Sequence, residues 1–394
     1  MGNSHTRVAQ PAARELTKDS APNFSRSLEV TSDRDDTAVT EGVFHSMLTL
    51  ERRRAERSRR PFILMLLDTN LENGSSAEIL RNALDVVVAS KRETDVAGWY
   101  KETSILGVIF SEIGVEGDQP IMEVLRAKIE TALIKHLGRE PAAKIVISLH
   151  VFPETWDKDR SGWVADSKLY PDLKRTVSRK RLPLMIKRAI DIAGSGALLL
   201  VLSPMLAVIA AIIKLTSKGP VVFEQERLGQ FGARFKCLKF RTMSANNDPR
   251  IHQEYVQQFI AGNHAGLNNS DRSNAPVYKL TKDPRVTSIG RLLRKSSLDE
   301  LPQFWNVLRG EMSLVGPRPP VPYEFDIYDI WHRRRVLEVK PGVTGLWQVS
   351  GRNHTQFDEM VRLDLRYCQN WSIWLDLKIL IATPRAVFNG GGAA

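Results

Sequence analysis

Twenty-two consecutive residues without a charge, Ile192 to Ile213 (IAGSGALLLVLSPMLAVIAAII), constrain this chain more than any other feature. A straight helix needs about 20 apolar residues to cross the hydrocarbon of a bilayer, so the run is long enough to span one. Pro204 near its middle argues against a simple crossing. It removes one backbone donor, frees the carbonyl of Leu200 and kinks the helix, and the neighbouring Ser203 can rebond a freed carbonyl. Lys187 and Arg188 precede the run and Lys214 and Lys218 follow it, whereas a simple span concentrates its basic residues on the cytoplasmic side. A helix broken at Ser203-Pro204, over about residues 184–216, that enters and leaves the same leaflet satisfies both observations. An ordinary span remains the alternative; 22 uncharged residues are too many for a buried core helix.

Charge points the same way. The 394 residues carry 56 Lys and Arg against 45 Asp and Glu, a net +11 that predicts an anionic partner. Seven basic residues and no acid lie between Lys174 and Arg188, directly before the apolar run. They read as a contact with anionic phospholipid headgroups, each worth about 1 kcal/mol near the surface. Nucleic acid is set aside as a partner, because no recognised binding motif or aromatic interleaving accompanies the cluster. The two cysteines, Cys237 and Cys368, suit a reducing compartment rather than a disulfide framework. No secretory signal peptide is recognised in the polar N-terminal stretch, and no histidine pair or Gly-x-Ser-x-Gly turn supports zinc or serine-hydrolase chemistry.

Before the linker, helical and strand-like patterns alternate. Residues 1–41 read as a disordered polar tail, 42–155 as an α/β domain, 156–183 as a basic linker and 184–389 as a second domain of α+β type. In the first domain PFILMLLD, followed by RETDVAGWYKETSILGVIFSE, resembles the GGDEF diguanylate cyclase fold. Where that family has its Gly-Gly-Asp-Glu-Phe turn, this chain has approximately Tyr100, Lys101, Glu102, Thr103 and Ser104. The resemblance therefore implies a degenerate copy without cyclase activity, regulatory or dimerising, and admits a homodimer.

After the apolar run, VVFEQERLGQFGARFKCLKFRTM has the pattern of a hairpin with turn glycines at Gly229 and Gly232. Farther on, Arg291, Arg294 and Lys295 stand on an expected helix before Asp299 and Glu300, and Arg318 sits in a Gly-Pro-Arg-Pro turn. Arginine held rigidly suits phosphate oxygens, and a carboxylate beside phosphate suits Mg2+. Taken alone, an Asp-Glu pair before Pro302 is more often a solvated helix cap than a catalytic pair. The ordered array changes that balance. KRAIDI, the Ser-Pro-broken run, GPVVFEQERLG, KFRTM, SLDELPQFWNVLRGEMSLVGPRP and KPGVTGLWQVSGRN together resemble the bacterial sugar transferase family, the monotopic polyprenyl-phosphate glycosyl-1-phosphate transferases, over about residues 184–388.

That resemblance implies a reaction and a set of roles. Asp299 would attack the phosphorus bearing the sugar of a UDP-sugar, giving a phosphosugar-aspartyl intermediate and UMP, and polyprenyl (undecaprenyl) phosphate would then attack the intermediate. Carboxylate covalent catalysis of this kind predicts ping-pong kinetics. Asp299 would also touch Mg2+, and Glu300 would help coordinate it or handle a proton. Arg294, Arg318 and Arg352 match positions facing phosphate. Lys187, Arg188 and Asp191 match the motif where the lipid phosphate would arrive. Gln348, beside Trp347, is a candidate for the nucleotide pocket with packing as the alternative, and Asp364 and Asp376 are candidates for support of the site with a surface role as the alternative. The implied product starts exopolysaccharide, O-antigen or another glycan at the cytoplasmic face of a bacterial inner membrane. A non-catalytic scaffold is the competing class; the intact Asp-Glu and Gly-Pro-Arg-Pro motifs count against it.

Overall fold

The computed structural model describes residues 39–69, 75–111, 113, 118–154, 166–173, 181–243, 250–260, 285–350 and 355–389. The polar tail lies almost wholly outside these, as do Lys174, Arg175, Arg179, Lys180 and Arg352.

The N-terminal domain runs α1 (Glu41–Ser58), β1 (Phe62–Thr69), α2 (Ser75–Ser90), β2 (Val96–Lys101), β3 (Ile105–Phe110), α3 (Asp118–Leu137), α4 (Arg139–Ala143) and β4 (Ile145–Phe152). Its four strands pair antiparallel in the order β2-β3-β1-β4. The alternation of helix and strand thus resolves into a split β-α-β-β-α-β sheet rather than a parallel, doubly wound one. FILMLLD forms the central strand β1 and is buried on both faces. Met65 and Leu67 pack towards α2 and α3, and Phe62, Leu64 and Leu66 towards Phe44 and Leu48 of α1. The β2–β3 turn, in the place expected for the cyclase motif, is closed. Thr103 adopts φ 59°, Ser104 N–H donates to Lys101 O at 3.0 Å, and the Glu41 carboxylate accepts from Glu102 N–H at 3.0 Å.

The described part of the expected linker is packed rather than extended. Leu169 is fully buried against β1 and α1, Tyr100 Oη donates to Lys168 O at 2.9 Å, and Asp172 pairs with Arg52. One leucine and one tyrosine, Leu169 and Tyr170, in a polar stretch are enough to dock it on the sheet face that α1 also covers.

The long apolar segment forms one helix, α5 (Arg181–Thr216), with Pro204 inside it. It starts three residues before the expected position. Ser203 Oγ donates to Leu200 O at 2.8 Å, so the carbonyl that proline orphans is rebonded by the preceding serine. Among the described residues it is the one helix long and apolar enough to cross a membrane, and only 11% of its apolar window is buried within the protein, which excludes a core helix. Leu200 and Val201 beside the proline are 76% and 73% exposed. Both flanks, in contrast, rest on the same domain. Leu184 and Gly194 meet Val315 and Leu314, and Ile209 and Ile213 pack on Phe240 and Leu293.

The rest of that domain follows as β5 (Val222–Leu228), β6 (Arg234–Phe240), α6 (Arg250–Ile260), α7 (Ser288–Ser296), α8 (Gln303–Arg309), β7 (Ser313–Val315), α9 (Pro322–Asp326), α10 (Ile330–Glu338), β8 (Gly342–Thr344), α11 (Leu346–Ser350), α12 (Phe357–Gln369) and α13 (Ile373–Asn389). β5 and β6 form the expected hairpin through the turn at Gly229 to Gly232. β7 and β8 pair parallel. The N-terminal domain docks on α10, where Arg59 meets Asp329 at 3.0 Å.

Candidate active site

Asp299 owes its position to how α7 ends. Thr287 caps the helix, its hydroxyl accepting from Gly290 N–H at 3.0 Å. Ser297 terminates it in a left-handed conformation, φ 57°, and the chain tightens into a single 3-10 turn, Leu298–Glu300. Leu293 and Leu298 anchor the turn in the same apolar cluster as Ile213 of α5. Asp299 is therefore held beside α5 and is only 9% exposed.

No other residue hydrogen-bonds or ion-pairs with the Asp299 carboxylate among the described residues. Burial pushes its pKa up from 3.8 to about 6; the Glu300 charge adds to the rise, and Lys239 and Arg294 oppose it. Those two cations are themselves fixed. Lys239 Nζ pairs with Glu300 Oε1 at 2.9 Å, and Arg294 Nε donates to Thr242 Oγ1 at 2.9 Å. Lys239 and Thr242 both come from the KFRTM segment, whose Arg241 meanwhile caps the end of α5 through Ser217 O at 2.8 Å. Gly290 lets α7 lie directly on this strand end, since a β-carbon there would stand 2.0 Å from Thr242 O.

Arg318 arrives from the other side in the Gly-Pro-Arg-Pro turn. The turn is fixed by Gly316 N–H to Thr344 O at 2.9 Å and Gly342 N–H to Pro317 O at 2.9 Å, and by Arg227 Nη1 to Pro319 O at 2.6 Å. The charges of Lys239, Arg227, Arg318 and Glu300 all act on the buried thiol of Cys237, which burial pushes up overall. Glu300, Lys239 and Arg294 thus act on Asp299, and Arg318 shares with Lys239 and Glu300 an influence on Cys237. Lys239 and Thr242 had no assigned role in the sequence reading, although both stand in the KFRTM motif.

A divalent ion fits this donor set in a restricted way. Among the described residues no cluster of three His, Cys, Asp or Glu side chains could enclose a metal. Asp299, unpaired and next to Glu300, suits Mg2+ held by one or two carboxylates and completed by substrate phosphates.

Lys187, Arg188 and Asp191 are placed as ties, their polar groups engaged by the protein. Lys187 Nζ donates to Asp376 Oδ2 at 2.6 Å and to Val315 O at 3.1 Å. Arg188 binds the carbonyls of Val307 and Leu308 at 2.6 and 2.8 Å, the open end of α8. Asp191 Oδ1 accepts from Ser313 Oγ and Leu314 N–H at 3.0 and 2.9 Å. Gln348 donates to Val343 O at 3.2 Å; its Oε1 and the Trp347 indole N–H are buried without a partner, and Trp347 itself packs in the core. Asp376 gathers Lys187, Tyr367 and Trp371. Asp364 pairs with Arg335 in the core. Arg352 falls outside the described residues.

The model of one protein family, bacterial sugar transferase, matches residues 182–390. The chain belongs to that family. Over 213 residues it is 43% identical to the galactosyl transferase CpsE of Streptococcus agalactiae, covering 53% of this chain and 44% of that protein. It is 42% identical over 213 residues to the exopolysaccharide production protein ExoY of Rhizobium meliloti, covering 52% of this chain and 85% of ExoY. With the undecaprenyl-phosphate galactose phosphotransferase of Salmonella typhimurium it shares 41% identity over 217 residues, 54% of this chain and 43% of that one. Its match thus spans less than half of two of these three relatives. A diguanylate cyclase structure from Thermotoga maritima, 18% identical and covering 30% of this chain and 83% of its own, aligns with a TM-score of 0.24, too low to carry an argument about fold.

Proposed function

We propose that this sugar transferase moves a sugar 1-phosphate from a UDP-sugar to polyprenyl phosphate at the cytoplasmic face of a bacterial inner membrane, starting a glycan. The single observation that carries the reading is a buried carboxylate, Asp299, without a protein partner inside a basic neighbourhood. A raised, unpaired carboxylate among cations is what a nucleophile awaiting a phosphate anion requires. The names of the CpsE and Salmonella relatives, a galactosyl transferase and an undecaprenyl-phosphate galactose phosphotransferase, support the class of donor and acceptor.

In the first step an Asp299 oxygen bonds to the sugar-bearing phosphorus while the bond from that phosphorus to the bridging oxygen breaks, and UMP leaves with the electron pair. In the second, an oxygen of the lipid phosphate bonds to the same phosphorus and the aspartate departs. Arg294, oriented by Thr242, and Arg318, fixed by its turn, stabilise charge on the transferring group, so positioning and electrostatics supply most of the rate. Arg352 is proposed as a third phosphate contact and Gln348 as a contact to the nucleotide. Mg2+, held by Asp299 and Glu300, would neutralise phosphate charge.

The helix α5 is proposed to re-enter the leaflet it came from. Its two flanks rest on one domain while Leu200 and Val201 between them, next to the rebonded Ser203-Pro204 step, are 76% and 73% exposed. A straight crossing would carry one flank to the far side of the bilayer. The N-terminal domain is proposed as a degenerate cyclase-like module that regulates or dimerises the enzyme.

Trapping tests the reaction directly. The chain incubated with labelled UDP-sugar and Mg2+, without acceptor, should retain label on the protein and release UMP, and undecaprenyl phosphate should discharge the label. A wild-type protein that turns over yet never carries label rules out the covalent step.

A further inference from the structure

The N-terminal domain and the sugar transferase domain meet along a polar seam. Ile330, at the start of α10, packs into the N-terminal apolar cluster of Phe44, Leu48 and Leu169. Beside it runs a cleft of about 560 Å³, counted to its open mouth, lined by α1, the end of β4, the docked segment at Tyr170 and one side of α10. A seam between domains is where ligand clefts preferentially form.

The charges along this cleft fall into two groups. Arg52 pairs with Asp172 and lies over the Tyr170 ring at 4.6 Å, and Arg334 Nε pairs with Glu338 Oε1 at 2.5 Å. These four neutralise one another. Arg333 and Glu56 take no part in that: among the described residues neither makes a hydrogen bond or an ion pair. The Arg333 guanidinium has the Phe325 ring at 5.3 Å, and its Nε is buried and unbonded. Glu154 has one bond, its Oε1 accepting from Asp166 N–H at 3.1 Å, and burial pushes its carboxyl up to about 8. Burial raises Glu56 as well, against the charges of Arg334, Arg52 and Arg53. Arg53, exposed on the rim, is a second guanidinium without a hydrogen bond or ion pair among the described residues. Polar groups half removed from water cost free energy unless something bonds them. An Arg333–Glu154 pair across the seam would be the direct remedy, and the protein does not make it. The cleft thus suits an occupant that brings acceptors to the guanidiniums and donors to the carboxyls.

We propose that this cleft binds a small phosphate monoester carrying hydroxyl groups, with its phosphate on Arg333 and Arg53 and its hydroxyls on Glu56 and Glu154. Two free guanidiniums suit a phosphate dianion better than a single carboxylate, and a carboxyl oxygen accepts readily from a hydroxyl. Sugar phosphates and nucleoside monophosphates both carry that chemistry. Arg333 comes from α10 and the other three residues from the N-terminal domain, so the occupant bridges the two and holds them docked. None of the four is among the residues that act on Asp299, and the site does not rest on the transfer reaction proposed above.

Calorimetric titration of the full chain in detergent with glucose 1-phosphate, UMP and inorganic phosphate tests the site. At least one of the two esters should bind with a Kd below about 1 mM and more tightly than inorganic phosphate; the tighter ester names the source. Arg333→Gln and Glu56→Gln should each weaken that ester at least about tenfold, and Arg333→Lys should weaken it less than Arg333→Gln. The two residues lie on opposite domains, so if one variant fails to fold the other still decides. Binding kept in full by both Gln variants overturns the site, as does inorganic phosphate that binds as tightly as either ester. An affinity lost with Arg318→Ala and kept with Arg333→Gln assigns the ester to the transfer site instead, and no binding of either ester up to about 10 mM rules the proposal out.

Discussion

Asp299 and Asp364 are two buried aspartates with the same displaced acidity and opposite surroundings. Burial pushes both from 3.8 to about 6. Asp364 lies in the core with its Oδ2 accepting from Arg335 Nη1 at 2.9 Å, and Tyr328 Oη takes a second guanidinium donor. Asp299 has two cations nearby, each fastened to something else. A raised pKa by itself therefore does not mark a site here. What separates the two is the ion pair: Asp364 has Arg335 on its Oδ2, although its Oδ1 stays unbonded, and Asp299 has no ion-pair partner among the described residues.

The largest expected effect is on chemistry. Asp299→Asn keeps the shape and removes the nucleophile, so turnover should fall at least about 10³-fold, the range seen when covalent or electrostatic centres are removed. UMP release from labelled UDP-sugar measures it. A variant that kept more than a tenth of wild-type turnover would make Asp299 no more special than Asp364.

Asp364→Ala tests the other half of the comparison. It leaves the Arg335 guanidinium, with 2% of its side chain exposed, without its counter-charge, and breaking a buried pair from one side costs about 3–5 kcal/mol. Denaturant unfolding should show that loss, while turnover per folded molecule should stay close to wild type. A drop in turnover without a drop in stability would move Asp364 into the site.

The two aspartates also show what a sequence makes legible. β1 could be read because a central strand buried on both faces is a continuous apolar run, and the Ser203 bond to Leu200 O followed from proline chemistry alone. The Asp-Glu pair, Arg294 and Arg318 could be picked out by their motifs. The partners that decide how each charge is used come from far along the chain: Arg335 for Asp364, Asp376 for Lys187, Thr242 for Arg294. Sequence spacing gives no hint of these pairings, nor of the bonds that Lys187, Arg188 and Asp191 make to the body of the domain. The docking of Leu169 was hidden for a related reason: in a polar stretch one buried leucine has no periodicity to reveal it.

Acidity separates the same two residues by a different measurement. A carboxyl whose folded pKa is raised binds protons more tightly in the native state, so its burden on stability is absent below pH 3.8, grows as pH rises, and is complete above about 6. For Asp299 the rise from 3.8 to about 6 corresponds to roughly 3 kcal/mol. Asp299→Asn should thus unfold at a higher temperature than wild type at pH 7.5, and the gap should close as pH falls below 6. Asp364→Asn should be less stable than wild type at pH 7.5, because it strands Arg335. In wild-type activity, the acid limb of kcat should fall near pH 6 as Asp299 takes up its proton.

The smallest effect expected belongs to the orientation of Arg294. Thr242→Val keeps the volume and deletes the hydroxyl that accepts from Arg294 Nε. Thr242 is 7% exposed and its carbonyl still receives Thr287 N–H at 3.0 Å, so the strand end and α7 remain docked. Only the bond to Arg294 Nε is lost. One hydrogen bond to a charged group is worth about 1.5–3 kcal/mol, and part of it returns when the freed guanidinium finds water, so turnover should fall about tenfold with thermal stability nearly unchanged. Because Arg294 acts on Asp299 and not on Asp364, the loss should come with a higher Asp299 pKa, seen as an acid limb shifted to higher pH. An unshifted limb would mean that the guanidinium holds its place without Thr242, and that the basic neighbourhood of Asp299 is fixed by Lys239 instead.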